Sequence, residues 1–274
     1  MREVKQLALI VPYCQGARKK LIQDLDERGA AVFRSCGGPG GGGFLMAQTD
    51  PDVVMDIVAF KIALARHLGG GLRPAHGAPM QCLHSGANGR CAKQISASGG
   101  HAGSCPVGGF VIQRHDRVLR WLHRWLSQGR TSSPPLVEQV LPSEHGRLDI
   151  TFVQEGIPYW IDVAITSADS ECQRTLPARA QNDGRAARGE EGVKRSRYHG
   201  RAQPFVLEAH GRALQAARGL IRQFCCDCAV GAPESAAEAW SAISSVSQAG
   251  SAQIELSAYG PGAIEKGIAE IWFP

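Results

Sequence analysis

Two aspartates stand where strands usually carry apolar side chains. In the run GRLDITFVQEGIPYWIDVAI, Gly146 to Ile165, Asp149 lies between Leu148 and Ile150, and Asp162 lies between Ile161 and Val163. Both halves read as strands, and Glu155-Gly156 reads as a two-residue hairpin loop. That loop sets Gln154 opposite Ile157, and counting back along both strands sets Asp149 opposite Asp162. A four-residue loop gives the same register; a three-residue loop does not. Opposed residues share one sheet face with Cβ atoms about 5 Å apart. Two carboxylates at about 5 Å repel by about 3 kcal/mol at an effective dielectric of about 20. A shared proton, a Lys or Arg, or a divalent metal would each compensate them. Hard oxygen donors suit Mg²⁺ or Mn²⁺. Such a pair beside a lysine can bind a metal and activate water for phosphodiester hydrolysis. The plainer alternative is a surface hairpin with two solvated acids; against it stand the apolar neighbours Leu148, Ile150, Trp160, Ile161 and Val163.

A second constellation precedes it. Cys82, Cys91, His101 and Cys105 offer three thiols and an imidazole, a tetrahedral Zn²⁺ set. The surrounding residues 70–110 are rich in Gly, Ser and Ala without periodicity, and so long an irregular stretch needs a staple. Zinc binding of about 10–16 kcal/mol exceeds what such a segment can bury. Eight residues separate Cys82 from Cys91 where zinc knuckles favour two to four, so His84 and His76 remain alternative ligands; a Gly-rich linker with unpaired thiols is the other reading. Cys225, Cys226 and Cys228 have no histidine near in sequence and read as helix-end thiols, His115 as capping or orienting the helix after it, and Glu208 as a structural acid for Arg212.

The elements that must position these groups are legible in outline. Residues 3–28 read as a helix, with Leu7, Leu9, Ile10, Leu21, Ile22 and Leu25 on its apolar side. The glycine run Gly37 to Gly43 reads as a flexible loop. A second helix is expected from Asp50 to Gly69, capped by Asp50 with Pro51 in its first turn and apolar on most sides. A third is expected from Asp116 to Gly129, with Val118, Leu119, Leu122, Trp125 and Leu126 inward. Strands follow at 136–142, in the two aspartate runs and at 203–209. Helices are expected at 183–198 and 211–224, and an Ala- and Ser-rich helix or pair at 233–258. The order α, β, β, β, α, β, α implies a meander followed by a crossover into the same sheet.

Size and charge narrow the function classes. The chain has 274 residues, 43% of them hydrophobic, enough for a sizeable core. Its net charge is +5, but Cys172 to Arg222 alone holds eleven Lys and Arg against four acids. That concentration suggests a polyanionic partner, a solvated helix face being the plainer reading. LALIVP at Leu7 to Pro12 is too short for a signal-peptide core or a membrane span. An intracellular protein is expected, its nine cysteines thiols or metal ligands and not a disulfide frame.

The acids, the lysine downstream of them and the element order together resemble the PD-(D/E)xK nuclease superfamily. The closer likeness is to the restriction-like endonuclease domain at the C-terminus of site-specific non-LTR retrotransposon polyproteins. It is carried by RLDI at Arg147 to Ile150, IDVAI at Ile161 to Ile165, KRSRY at Lys194 to Tyr198 and HAGSCPVGGFVIQRHD at His101 to Asp116. Two departures stand out: Leu148 replaces the family's proline, and Ala164 occupies the strand position of the superfamily's usual lysine. The resemblance implies an α/β fold with a restriction-endonuclease-like αβββαβ core, flanking helices and an upstream zinc-stapled irregular segment. It implies a helical N-terminal region (1–70), a zinc-knuckle-like segment (71–114), a nuclease core (115–228) and a C-terminal helical extension (229–274). Asp149, Asp162 and Lys194 would be catalytic, with Mg²⁺ or Mn²⁺ on the two acids. Arg179, Arg195, Arg197 and Arg201 would contact nucleic acid. Cys82, Cys91, His101 and Cys105 would hold a structural Zn²⁺. The activity implied is DNA cleavage at a retrotransposon target site, by a detached polyprotein fragment acting in the nucleus, with DNA as partner and the parent element's RNA as a further one. The alternative is an inactive zinc-containing nucleic-acid-binding module.

Overall fold

The computed structural model describes residues 16–38, 40–46, 51–68, 80–95, 100–141, 146–170, 174–226 and 235–259. The chain is mixed α/β, built around one four-stranded sheet. Strands β5 (Leu136–Leu141), β6 (Gly146–Gln154) and β7 (Ile157–Thr166) form an antiparallel meander, and β8 (Gln203–Glu208) lies parallel to β7 at the other edge. Four short strands upstream, β1 (Met80–Gln81), β2 (Ser85–Gly86), β3 (Gly89–Arg90) and β4 (Gln94–Ile95), make two small antiparallel pairs.

The hairpin closes as its sequence requires. Glu155 and Gly156 both have positive φ, 50° and 81°, the backbone of a primed two-residue turn whose twist matches the strands. Gln154 therefore faces Ile157, and the ladder runs back to the pair Ile150 and Ile161. The crossover from β7 to β8 carries α4 (Leu176–Gln181) and α5 (Arg185–Arg197). On one sheet face α3 (Phe110–Leu126), α6 (Gln215–Cys226) and α7 (Ala236–Tyr259) close the main core around Ile150, Phe152, Ile161, Val163, Phe205 and Leu207. On the other, α5 packs Ala187 against Ala164 and Val206.

Helix boundaries shift where capping decides them. The helical residues 16–24 stop short, and Asp26 starts a new helix, α1 (Glu27–Cys36), by accepting the Gly29 N–H at 2.6 Å. Leu21 is exposed; Leu7, Leu9 and Ile10 lie outside the described residues. The helix expected from Asp50 begins at Ile57 as α2 (Ile57–His67), because Asp56 accepts from both the Val58 and Ala59 N–H groups. It buries one face only, with Ile57 and Val58 exposed. The helix expected from Asp116 starts at Phe110, so α3 runs across the segment limit expected between residues 114 and 115.

The Ala- and Ser-rich tail is a single long helix, α7, buried on almost every side. Small side chains let loops approach it closely, and its hydroxyls satisfy their carbonyls. Ser241 donates to Gly43 O at 2.8 Å and Ser244 to Gly41 O at 3.1 Å. The glycine run is thus pinned, not free; a Cβ on Gly43 would stand 2.8 Å from Trp240 O. Beside α7 lies a buried polar network. Arg66 meets Glu255 and donates to His210 Nδ1 at 2.6 Å, which leaves the His210 Nε2 proton facing Asp169, 3.7 Å away. Burial and the Arg66 charge push His210 down to about 4, so it stays neutral at physiological pH.

Two glycines report on these constraints. Neither Gly156 nor Gly219 has an atom within 4 Å of a built Cβ, but only Gly156 has positive φ. Gly156→Ala is expected to cost about 1–2 kcal/mol. Gly219→Ala, inside α6, is expected to stabilise by about 0.5–1 kcal/mol. Urea unfolding curves of both variants test the pair of signs.

Candidate functional site

Asp149 and Asp162 lie one step beyond the last regular pair of the β6–β7 ladder, where the strands part. The Val163 N–H, which a regular ladder would send across to backbone, donates to Asp149 Oδ2 at 2.7 Å. Side-chain alternation breaks at the same point. Ile150 points into the α3 core, whereas Leu148, two residues earlier, packs on Tyr198 and Ala202. The expectation that both acids simply share one face is therefore corrected. Asp149 turns toward α3, where His115 Nε2 lies 3.4 Å from its Oδ2, and Asp162 meets Lys194 of α5, Nζ to Oδ1 at 2.6 Å. Both carboxylates are buried. Asp162 Oδ2 has no hydrogen-bond partner.

The electrostatics separate the two acids. Burial raises Asp162, the Asp149 charge adds to this, and Lys194 only partly offsets it, leaving its carboxyl above the usual range. Burial also opposes the Asp149 charge, but His115, the Val163 N–H and Lys194 outweigh it and hold that carboxyl below the usual range. His115 is raised above its ordinary value by its bond to Asp149, against burial, with Asp116 contributing through Nδ1 at 3.1 Å. His115 thus belongs to the site; Asp116, next in the chain, is mid-helix and caps nothing. Glu138 was also not singled out from the sequence. It falls between the pairs Val137–Ile150 and Gln139–Leu148, opposite Asp149, and leaves the ladder with φ 56° to pair with Arg147 at 3.2 Å. Such a backbone conformation in a non-glycine residue marks local strain. Its only sequence signal is an acid in a strand.

The expected nucleic-acid residues divide. Arg195, Arg197 and Arg201 are exposed on the α5 side, Arg195 paired with Glu191 at 3.1 Å. Arg179 is turned inward, donating to Ser170 Oγ and to Ser167 O. Glu208 accepts the Ala187 N–H at 3.3 Å and sits 3.9 Å from Arg212. Cys225 and Cys226 end α6, and Cys228 lies outside the described residues.

The upstream constellation comes together. Cys82, Cys91, His101 and Cys105 are buried, their ligand atoms all within 4.8 Å of one another. Cys82 Sγ and Cys105 Sγ are 3.8 Å apart, and Cys91 Sγ and His101 Nε2 are 3.2 Å apart. The S–S separation matches an edge of about 3.8 Å for a tetrahedron with Zn–S near 2.3 Å. Burial pushes the Cys105 thiol up to about 12 and raises Cys82 as well. A dication would make the thiolates favourable there, so the set can hold zinc. His84 is not in the set but beside it. Its Nε2 donates to Ile254 O at 2.9 Å and its Nδ1 lies 3.4 Å from Cys82 Sγ. His76 lies outside the described residues. Among the described residues this is the one group of three or more acids, thiols or imidazoles at metal-ligand spacing. No helix among the described residues is long and apolar enough to cross a membrane. Compared with models of protein families, with curated proteins and with solved structures, the chain has no match.

Two outcomes follow. Cys105→Ala, or a strong chelator, is expected to release zinc and lower the melting temperature by about 10 °C or more; metal analysis beside a thermal melt checks it. The folded-state value of His115 is raised, so its contribution to stability is full below its unfolded value of about 6.5 and is lost as pH rises through the folded value. The stability gap between wild type and His115→Gln should therefore narrow as pH rises. Chemical denaturation across that range gives the sign.

Proposed function

We propose that the chain is a divalent-metal-dependent endonuclease that hydrolyses phosphodiester bonds in DNA. The observation that carries this is a buried strand carboxylate, Asp162, paired at 2.6 Å with a lysine from the following helix, Lys194, beside a second buried strand carboxylate, Asp149. The αβββαβ order around them supports a restriction-endonuclease-like core. Lys194 comes from α5 and reaches the position that Ala164 leaves without a lysine. The unpartnered Asp162 Oδ2 is a donor that a hard cation would satisfy. Asp149 and Asp162 would hold such a cation of the Mg²⁺ or Mn²⁺ class, with water and a phosphate oxygen completing its shell. When bound it supplies charge stabilisation at the phosphoryl group.

The chain's own groups do the rest. Lys194 offsets part of the burial cost of the Asp162 charge and offers Nζ protons to a phosphate oxygen. His115 and the Val163 N–H fix the Asp149 carboxylate. Arg195 and Arg197 of α5 and Arg201 just beyond its end are exposed and would contact the DNA backbone. The Cys82, Cys91, His101, Cys105 set is a structural zinc site in this reading, joining the irregular segment to α2 and α7 through Ile62, Ile95 and Tyr259. One observation favours the alternative of a binding module without turnover: Asp149 Oδ2 is already engaged by backbone.

Plasmid nicking with Mg²⁺, Mn²⁺ or EDTA decides between them. Asp162→Ala should reduce metal-dependent nicking at least about 10²-fold while duplex binding persists. Lys194→Ala should fall by a similar factor. Nicking that survives Asp162→Ala would remove the proposed centre.

A further inference from the structure

On the face of α3 turned away from His115 lies a cleft of about 750 Å³. Its rim carries Arg117, Arg120 and Arg124 from α3, and its floor includes Trp121 of the same helix, Val53 and, from α7, Val246. The three arginines fall at i, i+3 and i+7, which puts them in one row along a helix. At 1.5 Å per residue the row spans about 10 Å, the length of about three nucleotides of a strand at 3.4 Å each.

The charges in the cleft are unequally committed. Arg124 meets Asp52. The Asp56 carboxylate accepts two backbone N–H groups at the start of α2. Asp116, one turn before Arg120, is taken by His115. Among the described residues, neither Arg117 nor Arg120 has an ion-pair partner. A solvated helix face would show the same row of charge but not the concavity. Guanidinium groups without ion-pair partners at the mouth of a cleft are what a nucleic-acid strand uses to seat its phosphates.

We infer that this cleft binds a nucleic-acid strand through phosphate contacts to Arg117 and Arg120. The row lies on the opposite side of α3 from the Asp149 contact. The site stands whether or not the carboxylate pair cuts.

The test uses the full chain carrying Asp162→Ala, without added divalent metal, so that cleavage does not enter the result. Anisotropy of a fluorescein-labelled single-stranded oligonucleotide is followed against salt. Arg117→Glu with Arg120→Glu should weaken binding about tenfold or more and lower the salt slope by about 1.4, two phosphates at about 0.7 each. Lys19→Glu with Lys20→Glu makes the same change in net charge on exposed positions of residues 16–24 and should leave both nearly unchanged. Arg120→Ala, a single change at an exposed position, should move in the same direction should the double variant melt at a lower temperature. Equal weakening by both pairs, or none by the arginine pair, overturns the inference. So does inorganic phosphate that displaces the oligonucleotide as well as an unlabelled strand does at equal phosphate concentration.

Discussion

Two buried carboxylates at the point where β6 and β7 part set the terms for the elements around them. A buried carboxylate without partners costs several kcal/mol, so each draws a nitrogen partner from a different helix. His115 of α3 serves Asp149 from one side of the sheet, and Lys194 of α5 serves Asp162 from the other. The opening of the ladder makes this possible. It frees Asp149 to accept a backbone N–H and sends Leu148 toward Tyr198, whose hydroxyl then donates to Arg147 O at 3.0 Å. The sheet is deformed where its charges are, and regular elsewhere.

A second constraint is close packing on α7. The main core takes Val53 from upstream of α2 and core residues of α7 as well as the sheet and its helices, so segments that precede and follow the sheet in sequence close one core with it. Alanine and serine suit a helix that is surrounded, because they let backbone approach while offering hydroxyls to loop carbonyls. Gln248 and Ser251 do this for the segment after β8, donating to His210 O and Ala209 O. The cysteine–histidine set is joined to the same helix through His84 and Ile254. The buried Arg66, His210 and Asp169 lie beside it around its own Glu255, where the guanidinium offsets part of the burial cost of the carboxylates.

Much of this was legible in the chain itself, because local rules governed it. Glu155-Gly156 set the hairpin register through turn geometry. Alternation marked the strands, and the α3 periodicity marked its inward face, Val118, Leu119, Leu122, Trp125 and Leu126. Cys82, Cys91, His101 and Cys105 were identifiable by type despite their wide spacing, and they converge. Helix starts were less legible, since Asp50 and Asp56 both read as caps, and α3 starts at Phe110 without a side-chain cap, ahead of Asp116.

The sequence by itself determined which residues could do chemistry and which strands carry them, since turn type and side-chain period act over a few residues. Tertiary structure alone decided how the two aspartates are used. Their ladder position follows from counting, but the opening at Asp149 depends on Leu148 finding Tyr198 and on His115 arriving from a helix 34 positions upstream of Asp149. The same holds for the glycine run, where Gly41 and Gly43 look free in sequence and are held by Ser244 and Ser241 from about 200 residues away. Desolvation and close packing act between elements distant in sequence, and no local pattern records them.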